Sequence, residues 1–157
     1  MLVSMGEDVY AQDEEIRDPS RSEYVYELVS YAKLVKSYLR KYLTLPEDQK
    51  IIVETLIEST DGQFRFSTQS IHLDSRILDK WDFLIILCHE AVHAEQYFQN
   101  RFSCYLSSSK SYVKFLNRTY LVTENDIGSA ERPWEEEAYR RESEIASAIL
   151  EDIARGD

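Results

Sequence analysis

Two histidines stand four residues apart in the segment Cys88-His89-Glu90-Ala91-Val92-His93. Residues at this spacing share one face of a helix, so both imidazoles can bind a single metal ion. Glu90 follows the first histidine, which puts its carboxylate beside the water that a zinc ion would activate. The spacing predicts a hydrolytic zinc site with His89 and His93 as ligands and Glu90 as general base. The alternative is a pair of satisfied core histidines.

A catalytic zinc ion needs a third protein ligand and keeps a fourth position for water. The last predicted helix opens with three glutamates, Glu135, Glu136 and Glu137. At about 100° per residue, only Glu135 falls on the arc of that helix's apolar residues, so Glu135 is predicted to be the third ligand. The alternative is an acid that complements the helix dipole. Glu142 lies on the same face, as a hydrogen-bond partner for a histidine or as a boundary residue.

Three other side chains of ligand type are not favoured. His72 alternates with apolar neighbours on a predicted strand. If those neighbours face the core, His72 points away from it. Cys88 sits about 100° around the helix from His89, so we interpret it as a small buried packing residue. Cys104 is likewise not favoured as a ligand.

Three helices are predicted from apolar periodicity. The first begins near Ser20 or Ser22 and extends to about Leu43, before Pro46. The second begins between Asp74 and Asp79 and ends near Gln99, and its apolar first half indicates burial. The third starts at Pro133, a residue suited to a first helical turn, and ends near Ile153.

Strands are predicted between the first two helices. Residues 51–57 are apolar and β-branched, and two shorter alternating segments lie around 64–66 and 71–73. Together they predict a small, mostly antiparallel sheet. Residues 101–130 fit either a helix or strands. The fold class expected is α+β.

The chain has 157 residues, of which 43% are hydrophobic, and this suits one domain. We expect a flexible acidic tail over residues 1–19 and a single domain over residues 20–157. The net charge of -11 disfavours binding to nucleic acid and to anionic membrane surfaces. No apolar run is long enough to span a membrane.

The N-terminus has no basic start and no apolar centre, so no secretory signal is predicted. Two cysteines do not make a disulfide framework. These features favour a cytoplasmic location, in a bacterium or in a virus-infected host cell.

The stretches HEAVHAEQ, from His89 to Gln96, and PWEEEAY, from Pro133 to Tyr139, resemble the gluzincin metallopeptidases. They are most similar to the small single-domain metallopeptidases of bacteria and tailed phages. The resemblance implies a minimal zincin-like domain with one zinc ion per chain, and it makes Glu135 the glutamate ligand. It also implies a peptide or protein substrate bound along a sheet edge. The strand nearest the helix in sequence is about Thr68 to Leu73.

The chain departs from thermolysin-like enzymes four residues after Glu135. Those enzymes carry an aspartate that braces a metal-binding histidine, whereas this chain has Tyr139. Two roles are therefore open for Tyr139, namely a bracing partner and a catalytic residue that stabilises the oxyanion. The large C-terminal domain of those enzymes has no counterpart among these 157 residues, so we do not expect their substrate specificity to carry over.

The sequence thus predicts a zinc-dependent metallopeptidase. A first alternative is a zinc-binding structural or accessory protein with little or no catalysis. A second is a metallohydrolase that acts on small amides. The oligomeric state stays open.

Overall fold

The structure is a computed structural model that describes residues 8–12, 19–57 and 60–156. Within these ranges the chain is α+β. Its helices are α1 (Pro19–Leu39), α2 (Lys80–Phe98) and α3 (Pro133–Arg155). Its strands are β1 (Val9–Ala11), β2 (Lys50–Glu54), β3 (Gly62–Arg65), β4 (Ser70–Asp74), β5 (Phe102–Ser107), β6 (Lys110–Phe115) and β7 (Arg118–Val122). None of the helices described here has the length and apolarity needed to cross a membrane.

The first sheet has the strand order β1-β2-β4-β3. β1 and β4 are both parallel to β2, and only β3 is antiparallel to its neighbour β4. The predicted mostly antiparallel sheet was therefore wrong, because β2 pairs across the β3–β4 hairpin and not with the next strand in sequence. The segment from Thr68 to Leu73, which is nearest α2 in sequence, is not an edge of this sheet. β4 is paired on both sides, whereas β3 has no second partner among the described strands.

The predicted flexible tail does not extend over residues 9–11. Val9 is buried, and β1 pairs in parallel with residues 51–53 of β2. A three-residue strand carries too little periodicity to be recognised from sequence. The rest of the predicted tail, apart from residues 8, 12 and 19, lies outside the described residues.

The main core lies between the first sheet and the three helices. α1 ends at Leu39, one turn before the predicted end, yet Leu43 stays buried in the turn that follows. Next to it, the hydroxyl of Tyr42 donates a hydrogen bond of 2.5 Å to Asp152 near the end of α3. Lys41 forms an ion pair of 3.1 Å with the same carboxylate. This clasp fixes α3 against α1.

A second sheet forms from the segment that fitted either a helix or strands. It is antiparallel with the order β5-β6-β7. One face covers a small second core, which consists of Phe102, Val113, Phe115, Val122 and Trp134. The turn between β5 and β6 is formed by Ser108 and Ser109, both exposed and both with left-handed φ angles of 51° and 65°.

The ends of α2 and α3 follow their sequence signals. Asp79 caps α2 by accepting a hydrogen bond of 3.0 Å from the backbone N–H of Trp81. α3 begins at Pro133 and ends at Arg155, and its C-cap is Gly156, whose φ of 75° suits a residue without a side chain. These caps fix the two helices that face each other across the site.

Candidate metal centre

His89 and His93 lie on the face of α2 that packs against α3, as the four-residue spacing predicts. Their ring centroids are 4.9 Å apart. Both residues are almost fully buried, with 9% of His89 and 5% of His93 exposed. Two imidazoles buried side by side need partners or a bound cation, because unpaired polar groups are costly in a protein interior.

Glu135 reaches the histidines from the first turn of α3. The preceding residue, Trp134, is fully buried in the second core and stacks on Phe102 at 5.6 Å. This anchor sets the rotation of α3, so the next side chain points at α2. Glu135 lies 2.8 Å from Nε2 of His89 and 3.0 Å from Nε2 of His93. One atom from each residue lies within 4.8 Å of the other two.

The donor set is two imidazoles and one carboxylate, which is a ligand set that catalytic zinc takes in proteins. Nε2 of His93 is a buried nitrogen that makes no hydrogen bond within the described part of the chain, despite its closeness to Glu135. A cation bound between this nitrogen and the carboxylate of Glu135 would satisfy both groups. The residues therefore fit a zinc ion held by His89, His93 and Glu135.

Glu142 accepts a hydrogen bond of 3.1 Å from Nδ1 of His89. Glu142 is therefore a hydrogen-bond partner of a histidine and not merely a boundary residue. With Nδ1–H donating to Glu142, Nε2 carries the free lone pair that a metal ion requires. The bracing role that was open for Tyr139 is filled by Glu142.

Gln96 plays the same part for His93, at a distance of 2.9 Å from its Nδ1. The amide nitrogen of Gln96 donates to the carbonyl of Trp134 at 3.0 Å and to Glu137 at 2.9 Å. Its oxygen is therefore the atom that faces His93, and it accepts the Nδ1–H. Gln96 was not predicted from the sequence, although a residue three positions after His93 lies on the same helix face and can contact it.

Glu137 belongs to an ionic network behind the histidines. Arg101 donates to it at 2.8 Å and Arg141 at 3.0 Å, and Arg141 also donates to the buried Glu95 at 2.8 Å. Glu137 was predicted to lie outside the apolar arc of α3. Its side chain is nevertheless mostly buried, because it is surrounded by these ion-pair partners. Periodicity of apolar residues cannot detect a position that is buried through ion pairs.

The electrostatics of the cluster favour positive charge between the three ligands. Burial alone would lower the pKa of His93, but the carboxylates of Glu135 and Glu90 outweigh burial and raise it to about 9. Burial alone would raise the pKa of Glu135, whereas its contacts with the two histidines lower it to about 2. A carboxylate that stays ionised between two imidazoles is suited to hold a metal cation in place of their protons.

Glu90 is buried beside the cluster, with 8% of the residue exposed. Burial raises the pKa of its carboxyl group, while the two neighbouring histidines and the backbone N–H of Phe64 act in the opposite direction. Strand β3 comes close to it at Gly62. A β-carbon added to Gly62 would lie 2.6 Å from Cγ2 of Ile86 and 3.2 Å from Cγ of Glu90. A glycine is needed for the free edge of the sheet to approach this carboxylate so closely.

Tyr139 is half exposed, and its ring centroid lies 4.6 Å from that of His89. Burial raises the pKa of its hydroxyl group, and the carboxylates of Glu135, Glu142 and Glu90 raise it further. The hydroxyl group is thus kept protonated and available as a hydrogen-bond donor at the open side of the cluster.

The residues that were not favoured as ligands lie outside the cluster. His72 is on the sheet face opposite the main core, as expected, but it is buried between Glu54 and Ser70. Its pKa is lowered, chiefly by burial. His72 is thus a buried histidine whose two ring nitrogens are both hydrogen-bonded. Cys88 is fully buried, which raises its pKa to about 12 and confirms a packing role. Cys104 is exposed on β5.

In comparisons with known proteins, no family model, no curated protein and no solved structure matches this chain. The functional inference therefore depends on the chain's own residues, foremost the cluster of His89, His93 and Glu135.

Proposed function

We propose that this chain is a zinc-dependent metallopeptidase with a minimal zincin-like fold. The observation that carries the proposal is the convergence of His89, His93 and Glu135 from two helices, with Glu90 buried next to them. A closed structural zinc site takes four protein ligands and has no use for a general base. Three ligands with an adjacent carboxylate are the arrangement expected of a hydrolytic site.

The three ligands would hold one zinc ion, which when bound supplies a Lewis acid that polarises a carbonyl group and acidifies water. The protein supplies the proton transfers. Glu90 accepts a proton from the attacking water and passes it to the amine that leaves. Its raised pKa suits this exchange, because a carboxyl group with a higher pKa accepts a proton more readily.

Tyr139 is the side chain placed to donate a hydrogen bond to the oxyanion of the reaction, since its hydroxyl group is protonated and half exposed beside His89. A peptide substrate would add as a strand to the free edge of β3. Because β3 approaches Glu90 at Gly62, a strand that pairs there brings its backbone to the general base.

Two substitutions test the role of general base separately from the role of metal ligand. Glu90→Gln keeps the size of the side chain and removes its basicity, so we expect zinc to stay bound while hydrolysis of casein or of a peptide library falls by about 10²–10⁴-fold. The matched variant Glu135→Gln alters a ligand, so we expect zinc binding itself to weaken. Zinc content is measured by elemental analysis of each purified protein.

Three outcomes would contradict the proposal. A wild-type protein that binds zinc but cleaves neither casein nor peptides would favour a zinc-binding structural or accessory protein. Cleavage of small amides in the absence of peptide cleavage would favour a small-amide hydrolase. A zinc content near zero after growth with added zinc would contradict the metal site itself.

A further inference from the structure

Charge is unevenly distributed along this acidic chain. The segment from residue 96 to residue 123, which covers the end of α2, the second sheet and its turns, contains four cationic residues and no Asp or Glu. All 29 acidic residues lie outside it. The second sheet is thus a basic region on a molecule with a net charge of -11, and an anionic partner would be attracted to it and repelled elsewhere.

One face of this sheet packs on Trp134, and the other, which we call the outer face, is turned away from the core. The outer face consists of Ser103, Tyr105, Ser107, Lys110, Tyr112, Lys114, Thr119 and Leu121, as the cross-strand register shows. Tyr105 and Tyr112 stand opposite each other, with their rings stacked at 5.4 Å. Tyr105 and Leu121 are about half exposed. Stacked tyrosines between lysines form a flat, amphipathic surface that suits a polypeptide partner.

A pocket of about 370 Å³ opens at the base of the outer face. Ser103 and Lys114, which are cross-strand partners, line one side. Residues with amide side chains from three separate turns, Gln69, Asn100 and Asn117, also line it, together with Arg101 and three aromatic residues. The three amide residues have left-handed φ angles, of 55°, 59° and 67°, so each turn presents an amide to the same cavity.

The charge within the pocket is positive. Its lining has no carboxylate among the residues that the structure describes. Arg101 also lines the pocket, but its guanidinium group is neutralised by Glu137. Lys114 is exposed and has no ion-pair partner in the described part of the chain. A pocket of this volume is large enough for an acidic side chain or a chain end, and its ammonium, hydroxyl and amide groups are donors for a carboxylate.

We propose that the outer face and its pocket bind an acidic segment of a partner polypeptide. A carboxylate of that segment enters the pocket and pairs with Lys114, and the stacked tyrosines pack on the adjoining residues. The acidity of the remaining surface disfavours a long phosphate backbone, which would pass over it. The surface does not include the metal ligands, so this inference does not depend on the proposed function.

Binding is measured by fluorescence anisotropy with the full chain carrying Glu90→Gln, so that no peptide is hydrolysed. The probe is a labelled peptide of alternating glutamate and glycine with one tyrosine. We expect saturable binding that weakens with salt, and about tenfold or greater loss of affinity with Lys114→Glu. Lys50→Glu, an exposed lysine at the start of β2, is the matched control and should retain most of the affinity.

A second variant guards against misfolding of the first. Ser103→Glu places a carboxylate opposite Lys114 and should compete with the probe, again weakening binding. Absence of binding by the acidic peptide would overturn the proposal, as would equal binding of a peptide with lysine in place of glutamate. Equal losses of peptide affinity in Lys50→Glu and Lys114→Glu would overturn it too, because binding would then reflect the overall charge of the protein and not a site at Lys114. Tighter binding of oligothymidylate would identify a nucleic-acid surface instead.

Discussion

Each of the two histidines proposed as metal ligands gives one ring nitrogen to a neighbouring side chain and leaves the other for the cluster. His89 faces Glu142 and His93 faces Gln96 through their Nδ1 atoms. The two braces differ in kind, because a carboxylate strengthens the basicity of an imidazole more than a neutral amide does. Gln96 is itself oriented by Glu137, so an ionic residue acts on His93 through an amide.

This arrangement makes Gln96 a positioning residue for the metal. In Gln96→Leu the Nδ1–H of His93 loses its acceptor, and we expect zinc affinity to fall about 10–100-fold. Affinity is measured by competition with a chromophoric chelator. Gln12→Leu, at an exposed position next to β1, is the control and should leave affinity unchanged. Unchanged zinc affinity in a folded Gln96→Leu protein would show that the brace is dispensable.

Two contacts join α3 to the rest of the molecule, one near each end. At its first turn Glu135 meets the histidines of α2, and at its last turns Asp152 meets Tyr42 and Lys41 after α1. The first contact places a carboxylate between two buried imidazoles, a costly arrangement unless a cation is shared. The second is an ordinary polar clasp.

Zinc should therefore stabilise the fold by linking α2 to α3. At a free zinc concentration a thousandfold above the dissociation constant, binding to the folded state alone adds about 4 kcal/mol. We expect the melting temperature to fall when a chelator removes the metal, and to recover when zinc is restored. In Glu135→Gln the shift should be much smaller. An unchanged melting temperature in protein shown to have lost its zinc would refute the link.

The Asp152 clasp should make stability depend on pH. The hydrogen bond from Tyr42 and the charges of Lys41 and Arg155 lower the pKa of Asp152 below its ordinary value of 3.8. A carboxyl group with a lowered folded-state pKa contributes stability at pH above its unfolded pKa, and that contribution is lost as the pH falls through the folded value. In Asp152→Asn we expect lower stability near neutral pH and a smaller further loss below about pH 4. Urea unfolding at both pH values measures this, and an equal acid sensitivity of both proteins would count against it.

Across the whole molecule, the parts predicted correctly from the sequence are those with a strong local pattern. The histidine spacing and the apolar arc of the last helix indicated His89, His93 and Glu135, and the structure brings all three together. The same arc placed Glu142 on the correct face. The three helices followed from periodicity and end signals, within a few residues.

The parts that failed depend on contacts between distant segments. Strand direction in the first sheet is decided by which strands meet, and β2 meets β4 only after the intervening hairpin has formed. The second sheet could not be told from a helix, because apolar residues recur in it at helical spacing, namely Tyr112, Phe115, Leu116 and Tyr120. The ionic burial of Glu137 required knowledge that Arg101 and Arg141 lie nearby. Local patterns do not contain this information.

The second sheet separates the metal ligands in sequence, and this has a consequence for how the protein can be divided. The turn at Ser108 and Ser109 is exposed and lies far along the chain from both helices. Cleavage there would leave His89 and His93 on one fragment and Glu135 on the other, while both keep their helices. We expect the nicked protein to retain its zinc, measured by elemental analysis after gel filtration, because exposed turns tolerate such cuts. Loss of zinc on nicking would contradict this. In a nicked protein that retains its zinc, the metal ion would be a contact between two polypeptides. Zinc-dependent complementation of separately produced fragments would then be possible.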